Sequence, residues 1–411
     1  MQYPILLLLM LVVFAACKNE ANKEVTPAEE NTTIVQLLEN PAEGNSKLPR
    51  LFSNGTELYF SWVTHEDSTD ILNYSLLNNS NWQPVTEIVR GNDWFTNWAD
   101  FPVIAENNGH ILTSYLQKSA LGTYTYDVML NLYNAETKSW KKGFILHDDG
   151  TQSEHGFVSI RPYVGDSFFI TWLDGRETVG KGHGGGQMTL RGAIVFKDGT
   201  IDYDTLIDER VCDCCPTSAA IGTNDELIVA YRDRSSNEIR DISIARWEKE
   251  AGWIKPFSLG NDQWKIAGCP VNGPAIDAHE SFITAAWFTA AKGEGDILVS
   301  FSEDNGETFS RSYRVDAGNA TGRVDVSAYS NEEAAVIWMQ PKGDKEVINL
   351  MKINKHGYTG HPIEISETSA ERASGFPQME LVGDMLYLAW THMAPDDITR
   401  IKMAKVPLSE L

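Results

Sequence analysis

The sequence predicts an all-β fold, a β-propeller of seven blades. A short apolar strand runs into a tryptophan or tyrosine seven times, and successive aromatics lie 51 to 59 residues apart. These aromatics are Trp62, Tyr115, Trp172, Tyr231, Trp287, Trp338 and Trp390. A Pro- or Gly-containing corner and another short strand precede each aromatic, and strands with period-two alternation follow it. Four short strands in a unit of roughly fifty residues, repeated in tandem, are typical of a propeller.

The last repeat unit ends about one strand short, at residues 402–408. The apolar segment 32–38 precedes the first unit and is available to supply the missing strand. Closing the ring in this way would cover an exposed strand edge, so we expect the two ends of the domain to meet. The alternative is a propeller of six blades with one irregular unit.

The first sixteen residues predict an export signal. Pro4 to Ala16 is an uncharged apolar run of thirteen residues, whereas a membrane-spanning helix needs about twenty. The small residues before Cys17 resemble a lipobox, which predicts a lipoprotein signal peptide over residues 1–16 and acylation of Cys17. A plain secretory signal and a buried first strand are the alternatives.

Residues 17–31 are rich in Glu, Ala and Asn and predict a flexible tether. Residues 32–411 then form a single propeller domain. This organisation predicts a lipid-anchored protein of the bacterial cell envelope, periplasmic or surface-exposed. We expect contact with the membrane through the lipid anchor only.

The chain has a formal net charge of −23. Nucleic acid and anionic membrane surfaces are both negatively charged, so an acidic protein of this kind is repelled by them. The charge therefore argues against nucleic acid as a partner.

The segment 302–309 matches the Asp-box pattern S-x-D-x-G-x-T-[W/F], through Ser302, Asp304, Gly306, Thr308 and Phe309. This hairpin motif, together with the propeller repeat, resembles the sialidase (neuraminidase) superfamily, and the chain is similar to sialidase-like bacterial lipoproteins. The motif is structural, because its Ser and Asp bond the backbone of their own turn and its glycine supplies a positive φ.

The resemblance implies a glycosidase that requires no cofactor. Members of the sialidase superfamily clamp the substrate carboxylate with three arginines. They use a tyrosine activated by a glutamate as nucleophile, and an aspartate as acid and base. Arg50, in Leu48-Pro49-Arg50-Leu51, occupies the place of the first arginine, although only the arginine matches. No motif in the sequence identifies the Tyr/Glu pair.

Further candidates lie in the inter-blade connections and in the loops after the repeated aromatics, which propeller geometry brings to one face. Arg323 and the Asp174-Gly175-Arg176 turn are two of them. Residues 231–241 hold three arginines and three acids at the join of two strands. This segment is either a solvated charged hairpin or an ionic network that presents arginines to a carboxylate or sulfate. The candidates in it are Arg232, Asp233, Arg234, Glu238 and Arg240.

All cysteines of the predicted domain fall in equivalent connections of adjacent blades, at Cys212, Cys214, Cys215 and Cys269. In an oxidising envelope they are expected to form disulfides. The alternative is a soft-metal site for Cu(I) or Zn(II), which four thiolates suit.

Two functions remain open. One is an exported sialidase-like glycosidase that acts on an acidic sugar, with a small anionic ligand or glycan as its partner. The other is a non-catalytic propeller that binds a glycan, a partner protein or a soft metal through the Cys- and Arg-rich loops.

Overall fold

The computed structural model describes residues 34–181, 185–394 and 398–411. The predictions of a signal peptide, of acylation at Cys17 and of a tether lie outside the described residues. No helix in the described part of the chain is long and apolar enough to cross a membrane.

Seven antiparallel sheets follow one another along the chain, and each sheet is one blade, which confirms the seven-bladed propeller. A short strand, β1 (Gln36–Leu38), precedes blade 1. Blade 1 contains β2 (Ser46–Ser53), β3 (Leu58–Glu66), β4 (Thr69–Asn78), β5 (Asn81–Trp82) and β6 (Thr86–Gly91). Blade 2 contains β7 (Ile104–Asn107), β8 (His110–Lys118), β9 (Tyr126–Asn134) and β10 (Ser139–Ile145). Blade 3 contains β11 (His155–Tyr163), β12 (Ser167–Asp174), β13 (Met188–Val195) and β14 (Ile201–Val211).

The remaining blades repeat the pattern. Blade 4 contains β15 (Ser218–Ile221), β16 (Leu227–Arg232), β17 (Ile242–Glu248) and β18 (Gly252–Ser258). Blade 5 contains β19 (Ala275–His279), β20 (Phe282–Thr289), β21 (Asp296–Ser302) and β22 (Tyr313–Arg314). Blade 6 contains β23 (Gly322–Ala328), β24 (Glu333–Lys342), β25 (Lys345–Asn354) and β26 (Ile363–Thr368). Blade 7 contains β27 (Gln378–Val382), β28 (Met385–Met393) and β29 (Thr399–Pro407). Short 3-10 turns lie at Arg176–Thr178, Thr223–Asp225, Arg372–Ser374 and Leu408–Glu410.

The N-terminal strand completes blade 7, as the sequence predicted. β1 pairs with β29 in antiparallel register, with Leu37 opposite Ala404. The strand is shorter than the apolar segment suggested, and Asn40 extends the junction by donating from Nδ2 to the carbonyl of Ile401 at 3.1 Å. The last blade therefore has no open outer edge at this position.

The seven repeated aromatics occupy the second strand of each blade, and each is at most 6% exposed. Because a strand alternates its side chains between two faces, one large aromatic at a constant position packs the space between neighbouring sheets. The repeat read from the sequence is therefore the packing repeat of the core.

The first strands of the blades contact one another in a closed ring and surround the channel axis. Short polar side chains on these strands hydrogen-bond backbone amides of the next blade. Asp277 Oδ2 accepts from Ala328 N at 2.9 Å, and Asp325 Oδ2 accepts from Met379 N at 2.9 Å. These bonds satisfy amides that the ladder of a single blade leaves unpaired.

The hairpin after β21 is stapled by its own side chains. Ser302 Oγ accepts from Gly306 N at 2.8 Å, and Asp304 Oδ1 accepts from Thr308 N at 2.9 Å. Gly306 has a φ of 77° and Phe309 packs against Phe257. The hairpin lines neither the central channel nor the cleft beside it.

Candidate functional site

Two adjoining cavities lie along the propeller axis. The central channel, of about 610 Å³, is lined by the first strands of all seven blades. A cleft of about 1090 Å³ is lined by the inter-blade connections and by loops that follow the second strands. The two cavities share Ala99 and Phe157 in their walls. The structure thus brings together, on one face, the two sets of loops that the sequence singled out.

The channel holds the sequence-predicted Arg50 with a second arginine, Arg161. Arg50 Nη1 donates to Gln378 Oε1, and Arg161 Nε donates to the carbonyl of Ala219 at 2.6 Å. Burial lowers the pKa of Arg50, and the charge of Asp325 opposes that shift. Arg50 therefore lies in the central channel and does not line the cleft.

Three carboxylic acids face these arginines, at Asp277, Asp325 and Glu380. Burial raises the pKa of all three, and that of Glu380 reaches about 8 while Arg161 opposes the rise. Asp277 and Asp325 also accept the inter-blade hydrogen bonds described above. Their arrangement fits a role in holding the ring together.

The cleft contains a tyrosine bonded to two carboxyl groups. Tyr126, at the start of β9, makes a hydrogen bond of 2.7 Å from its hydroxyl to Glu154 Oε1 and one of 3.2 Å to Asp100 Oδ2. The ring of Tyr126 is fully covered and stacks on Phe95 with centroids 4.2 Å apart. Glu154, by contrast, is only partly buried and lines the cleft. The carboxyl group of Glu154 is thus the member of the trio that a ligand can reach.

The trio shares protons. A tyrosine hydroxyl donates one proton, so it satisfies both carboxyl groups only when one of them is protonated and donates in return. Burial raises the pKa of Glu154 to about 8, with nearby negative charge adding to the rise. Burial also raises the pKa of Asp100 to about 7 and holds that of Tyr126 well above its usual range. At neutral pH the cleft therefore presents a protonated glutamate backed by a hydrogen-bonded chain.

The blade 4 side of the cleft is an ionic network. Arg234 donates from Nη2 to Glu238 Oε1 at 3.0 Å and from Nη1 to Asp213 Oδ1 at 3.2 Å. Arg240 donates from Nη2 to Glu238 Oε2 at 2.9 Å. The Arg234 hydrogen bond, with that of Arg240, lowers the pKa of Glu238, so this carboxylate is ionised at neutral pH. The charged segment 231–241 thus directs Arg234, Glu238 and Arg240 into the cleft.

An aromatic and a cation form another part of the cleft wall. Trp98 lines it, and the guanidinium of the exposed Arg372 lies 6.0 Å from the Trp98 ring centroid. Arg372 makes no ion pair with any residue that the structure describes. It is therefore free to meet an anionic group of a ligand.

Two other predicted arginines support the cleft from within the core. Arg232 is 1% exposed and donates to the carbonyls of Asn272, Arg240 and Phe288 at 2.7 to 2.9 Å. Arg323 lies beneath Trp98, 4.7 Å from its ring centroid, and donates to Gly375 O at 2.8 Å. Both bind backbone rather than facing the cleft.

The remaining predicted candidates lie behind the cleft. Asp174 binds Arg176 Nη2 at 2.7 Å, and Asp174 also accepts from Trp172 Nε1 at 2.9 Å. Asp233 accepts from Ser243 Oγ at 3.1 Å. None of these side chains lines the cleft, so the structure separates Asp174, Arg176 and Asp233 from Arg234 and its partners.

The four cysteines do converge, as their equivalent positions predicted, but no disulfide links them. All four are free thiols. Cys212 Sγ lies 3.9 Å from Cys214 Sγ and 3.7 Å from Cys215 Sγ, whereas a disulfide needs about 2.05 Å. Cys214 and Cys269 line the cleft.

A second group of metal-ligating side chains lies beside β11. The Asp127, His147 and His155 ligand atoms lie within 4.8 Å of one another. However, the two imidazole rings stack with centroids 3.6 Å apart and an interplanar angle of 10°. An ion bound in the plane of one parallel ring, at about 2.1 Å, would sit far out of the plane of the other, so this pair does not converge on one ion. Asp149 instead binds both rings, at 2.7 Å from His147 Nδ1 and 3.3 Å from His155 Nε2.

Sequence reasoning missed Tyr126 and Glu154, and it included Asp100 only as the end of an inter-blade connection expected to face ligands. Glu154 directly precedes the first strand of blade 3, in the class of connection already expected to face ligands, so its position was a usable signal. Tyr126 begins a third strand, and nothing in the repeat distinguishes it from other strand tyrosines. Its contact with Glu154 joins two blades and is visible only in three dimensions.

The fold and the cleft define a class, a seven-bladed β-propeller with a polar cleft beside its central channel. No protein-family profile and no curated protein sequence matches the chain. Solved structures of similar fold include a protein of unknown function from Dyadobacter fermentans, with a TM-score of 0.54, 10% identity, and coverage of 91% of this chain and 97% of that chain.

Carbohydrate-active propellers are among the similar structures. An ulvan lyase bound to -[GlcA(1-4)Rha3S]- has a TM-score of 0.54 and 11% identity, and the match covers 91% of this chain and 95% of that chain. A mutant of the NanB sialidase from Streptococcus pneumoniae has a TM-score of 0.47 and 13% identity, with coverage of 92% and 71%. At such identities the likeness to the lyase establishes the shared fold.

Proposed function

We propose that the protein is an exported, lipid-anchored propeller enzyme that cleaves a glycosidic bond in an acidic glycan, with Glu154 as the proton donor. The observation that supports this most strongly is the half-buried Glu154 carboxyl in the cleft, with its pKa raised to about 8 and its oxygen 2.7 Å from the Tyr126 hydroxyl. A general acid must be protonated at the working pH and must face the substrate. Glu154 meets both conditions.

The mechanism assigns different roles to the acids of the cleft. Glu154 donates its proton to the leaving oxygen of the glycosidic bond. Asp213 and Glu238, held by Arg234, provide carboxylates on the blade 4 side, where one of them would activate water. An environment that separates the protonation states of neighbouring carboxyl groups is the arrangement that glycoside hydrolysis requires.

Tyr126 acts as a positioning residue in this proposal. Sialidase-type chemistry would make the tyrosine the nucleophile, but the Tyr126 side chain is fully covered. Its hydroxyl instead orients Glu154 and connects it to the buried Asp100. Because the Tyr126 hydrogen bond lowers the pKa of Glu154, Tyr126→Phe should move the alkaline limb of the rate profile to higher pH.

The charge of the cleft supports an acidic substrate. Arg234, Arg240 and Arg372 line it, and one of its three carboxylic acids, Glu154, is protonated at neutral pH. The cleft is thus less negative than a chain with a net charge of −23 would suggest. Guanidinium groups bind carboxylate and sulfate in bidentate fashion. The similar ulvan lyase is bound to a saccharide of this acidic kind.

The test is a cleavage assay on acidic glycosides and on uronate-containing and sulfated polysaccharides. New reducing ends without unsaturated sugars, produced by the wild-type protein and lost in Glu154→Gln, would support hydrolysis. Unsaturated uronate products would show that the cleft cleaves its substrate by β-elimination instead of hydrolysis. Glycan binding without cleavage would overturn the enzymatic proposal and leave a glycan-binding propeller.

The lipid anchor rests on the sequence alone and has its own test. Metabolic labelling with a fatty acid should mark the wild-type protein, and Cys17→Ser should abolish the label and release the protein from the membrane fraction. An unlabelled wild-type protein in the soluble fraction would contradict the anchor.

A further inference from the structure

We propose that Cys212, Cys214 and Cys215, completed by Cys269, form a binding site for a thiophilic d¹⁰ metal ion, Zn²⁺ or Cu⁺, in the wall of the cleft. The three clustered thiols lie in one turn between β14 and β15, and Cys269 lies in the next inter-blade connection. This site is a separate function from the proposed glycosidase chemistry, although it adjoins it, because Arg240 contacts both Cys212 and Glu238.

The spacing of the sulfur atoms fits a metal ion. Sulfur ligands at about 2.3 Å from a tetrahedral ion lie about 3.8 Å apart. The Sγ atom of Cys212 lies 3.9 Å from that of Cys214 and 3.7 Å from that of Cys215. All three sulfur atoms fall within 4.8 Å of one another, although Cys214 and Cys215 are adjacent in the chain. The turn therefore brings the three sulfur atoms of this segment to the spacing of metal ligands.

The turn is held rigidly by its neighbours. Cys212 N donates to the carbonyl of Arg232 at 3.0 Å, which fixes the start of the turn to blade 4. At its end, a Cβ on Gly273 would lie 2.1 Å from Pro216 O, so the connection into blade 5 packs directly on the turn. A ligand set held by such contacts loses little conformational freedom when a metal binds.

The surroundings favour thiolate. Arg240 donates from Nη1 to Cys212 Sγ at 3.2 Å. Arg232 also lies against the cluster, because its carbonyl accepts from Cys212 N at 3.0 Å. Metal binding would release the thiol protons, and the two arginines would offset the excess charge of the thiolates.

The fourth position opens toward the cleft. Cys212 and Cys215 are at most 2% exposed, whereas Cys214 is half-buried and Cys269 is exposed. Cys214 and Cys269 both line the cleft wall. The buried sulfur atoms thus anchor the ion, and Cys269 closes the coordination on the side that a solute can reach.

The two candidate ions differ in their need for Cys269. Zn²⁺ in a closed structural site takes four ligands, whereas three thiolates suffice for Cu⁺. Cys269→Ser should lower Zn²⁺ affinity by at least tenfold, but it should leave Cu⁺ binding nearly unchanged. Cys212→Ser removes a buried anchor and should abolish binding of either ion.

The experiment measures metal content by mass spectrometry on the full chain, purified under reducing conditions, with Cys17→Ser as the thiol-count control. Near-stoichiometric Zn or Cu in the wild type, lost in Cys212→Ser, is the expected result. Cobalt added to protein stripped of metal should give thiolate-to-metal charge-transfer absorption that Cys212→Ser lacks. Circular dichroism would establish that Cys212→Ser is still folded.

Two results would overturn the proposal. Metal content that is negligible after growth with added Zn²⁺ or Cu⁺, together with four reactive domain thiols, would make the cluster a set of buried structural cysteines. A disulfide found by mass mapping in protein from the periplasm, with no bound metal, would restore the disulfide pairing. Neither result decides whether the protein cleaves glycans, which the glycan assays measure separately.

Discussion

The channel and the cleft both set arginines against carboxylic acids, but their hydrogen bonds go to different places. In the channel, Asp277 and Asp325 accept backbone amides of the next blade. In the cleft, the hydrogen-bond partner of Glu154 is the Tyr126 hydroxyl, and its carboxyl group faces open space. Buried charge alone therefore does not mark a functional site in this molecule. Asp277 and Asp325 differ from Glu154 in that their carboxylates accept backbone amides of a neighbouring blade.

The electrostatics of the two regions are nonetheless alike. Burial raises the pKa of Glu380 in the channel to about 8, as it raises that of Glu154 in the cleft. A raised pKa therefore identifies candidates, and geometry has to select among them. The comparison predicts that matched substitutions in the two regions affect different properties.

The largest effect is expected for Glu154→Gln. This variant keeps the size of the side chain but cannot donate the proton, so kcat on a cleavable glycan should fall by about 10²–10⁴-fold. Thermal stability should be nearly unchanged, because the amide still bonds Tyr126. Glu380→Gln is the matched control, and it should retain activity. Equal losses of activity in both variants would contradict the claim that the cleft glutamate, and not the channel glutamate, acts in catalysis.

Wild-type activity should also fall as the pH rises through about 8, since Glu154 then loses the proton it must donate. The kcat profile should show this alkaline limb in the wild type. An activity that continues to rise at pH values well above 8 would exclude Glu154 as the proton donor.

The second-largest effect is expected for substitutions of Asp325 in the channel, which should lower the stability of the fold. Asp325→Ala leaves Met379 N without its acceptor and removes the negative charge beside Arg50. Losing a buried acceptor costs about 1–3 kcal/mol, which urea unfolding would measure. Asp325→Asn keeps one carbonyl acceptor and should cost less. If Asp325→Asn lowers the free energy of unfolding as much as Asp325→Ala does, the charge of Asp325, and not its inter-blade hydrogen bond, stabilises the fold.

These contrasts also show which features of the structure could be predicted from the sequence. The blade count followed from Trp62 and its six equivalents because packing between sheets imposes a periodic requirement. The closing strand followed from a missing element at the other end. Both are properties of the repeat, and the structure confirms them.

The site does not repeat, and so most of it could not be read in this way. Arg234, Glu238 and Arg240 were identifiable because their charges cluster in sequence. Tyr126 lies in blade 2, and Glu154 lies 28 residues further on, in the connection to blade 3. Arg50 was chosen for its place in the first blade and Arg232 for the cluster of charges around it, but neither signal reveals whether a guanidinium is held inside the protein or faces the cleft.

A smaller effect is expected for Arg372→Ala. If this arginine meets the anionic group of the substrate, its loss should raise KM about tenfold at low salt with little change in kcat. Added salt should narrow the difference between variant and wild type. Arg311→Ala is the matched control, because Arg311 also lies over an aromatic ring, that of Tyr313, outside the cleft. Parallel changes in both variants would point to a general effect of surface charge.

The smallest effect is expected for Glu380→Gln, measured as stability against pH. Because burial raises the pKa of Glu380 to about 8, the folded protein holds this proton more tightly than the unfolded chain. The stability contributed by this proton is complete below the ordinary glutamate pKa of about 4.3 and is lost as pH rises through about 8.

Glu380→Gln cannot ionise, so its Tm should match that of the wild type near pH 4. It should exceed the wild-type Tm by on the order of a few degrees at pH 9. The exposed Glu250→Gln should show no such pH-dependent difference. If the Tm difference between Glu380→Gln and the wild type stays constant with pH, the arginines of the channel hold Glu380 ionised. The channel would then differ from the cleft in the protonation of its glutamate as well as in its hydrogen bonds.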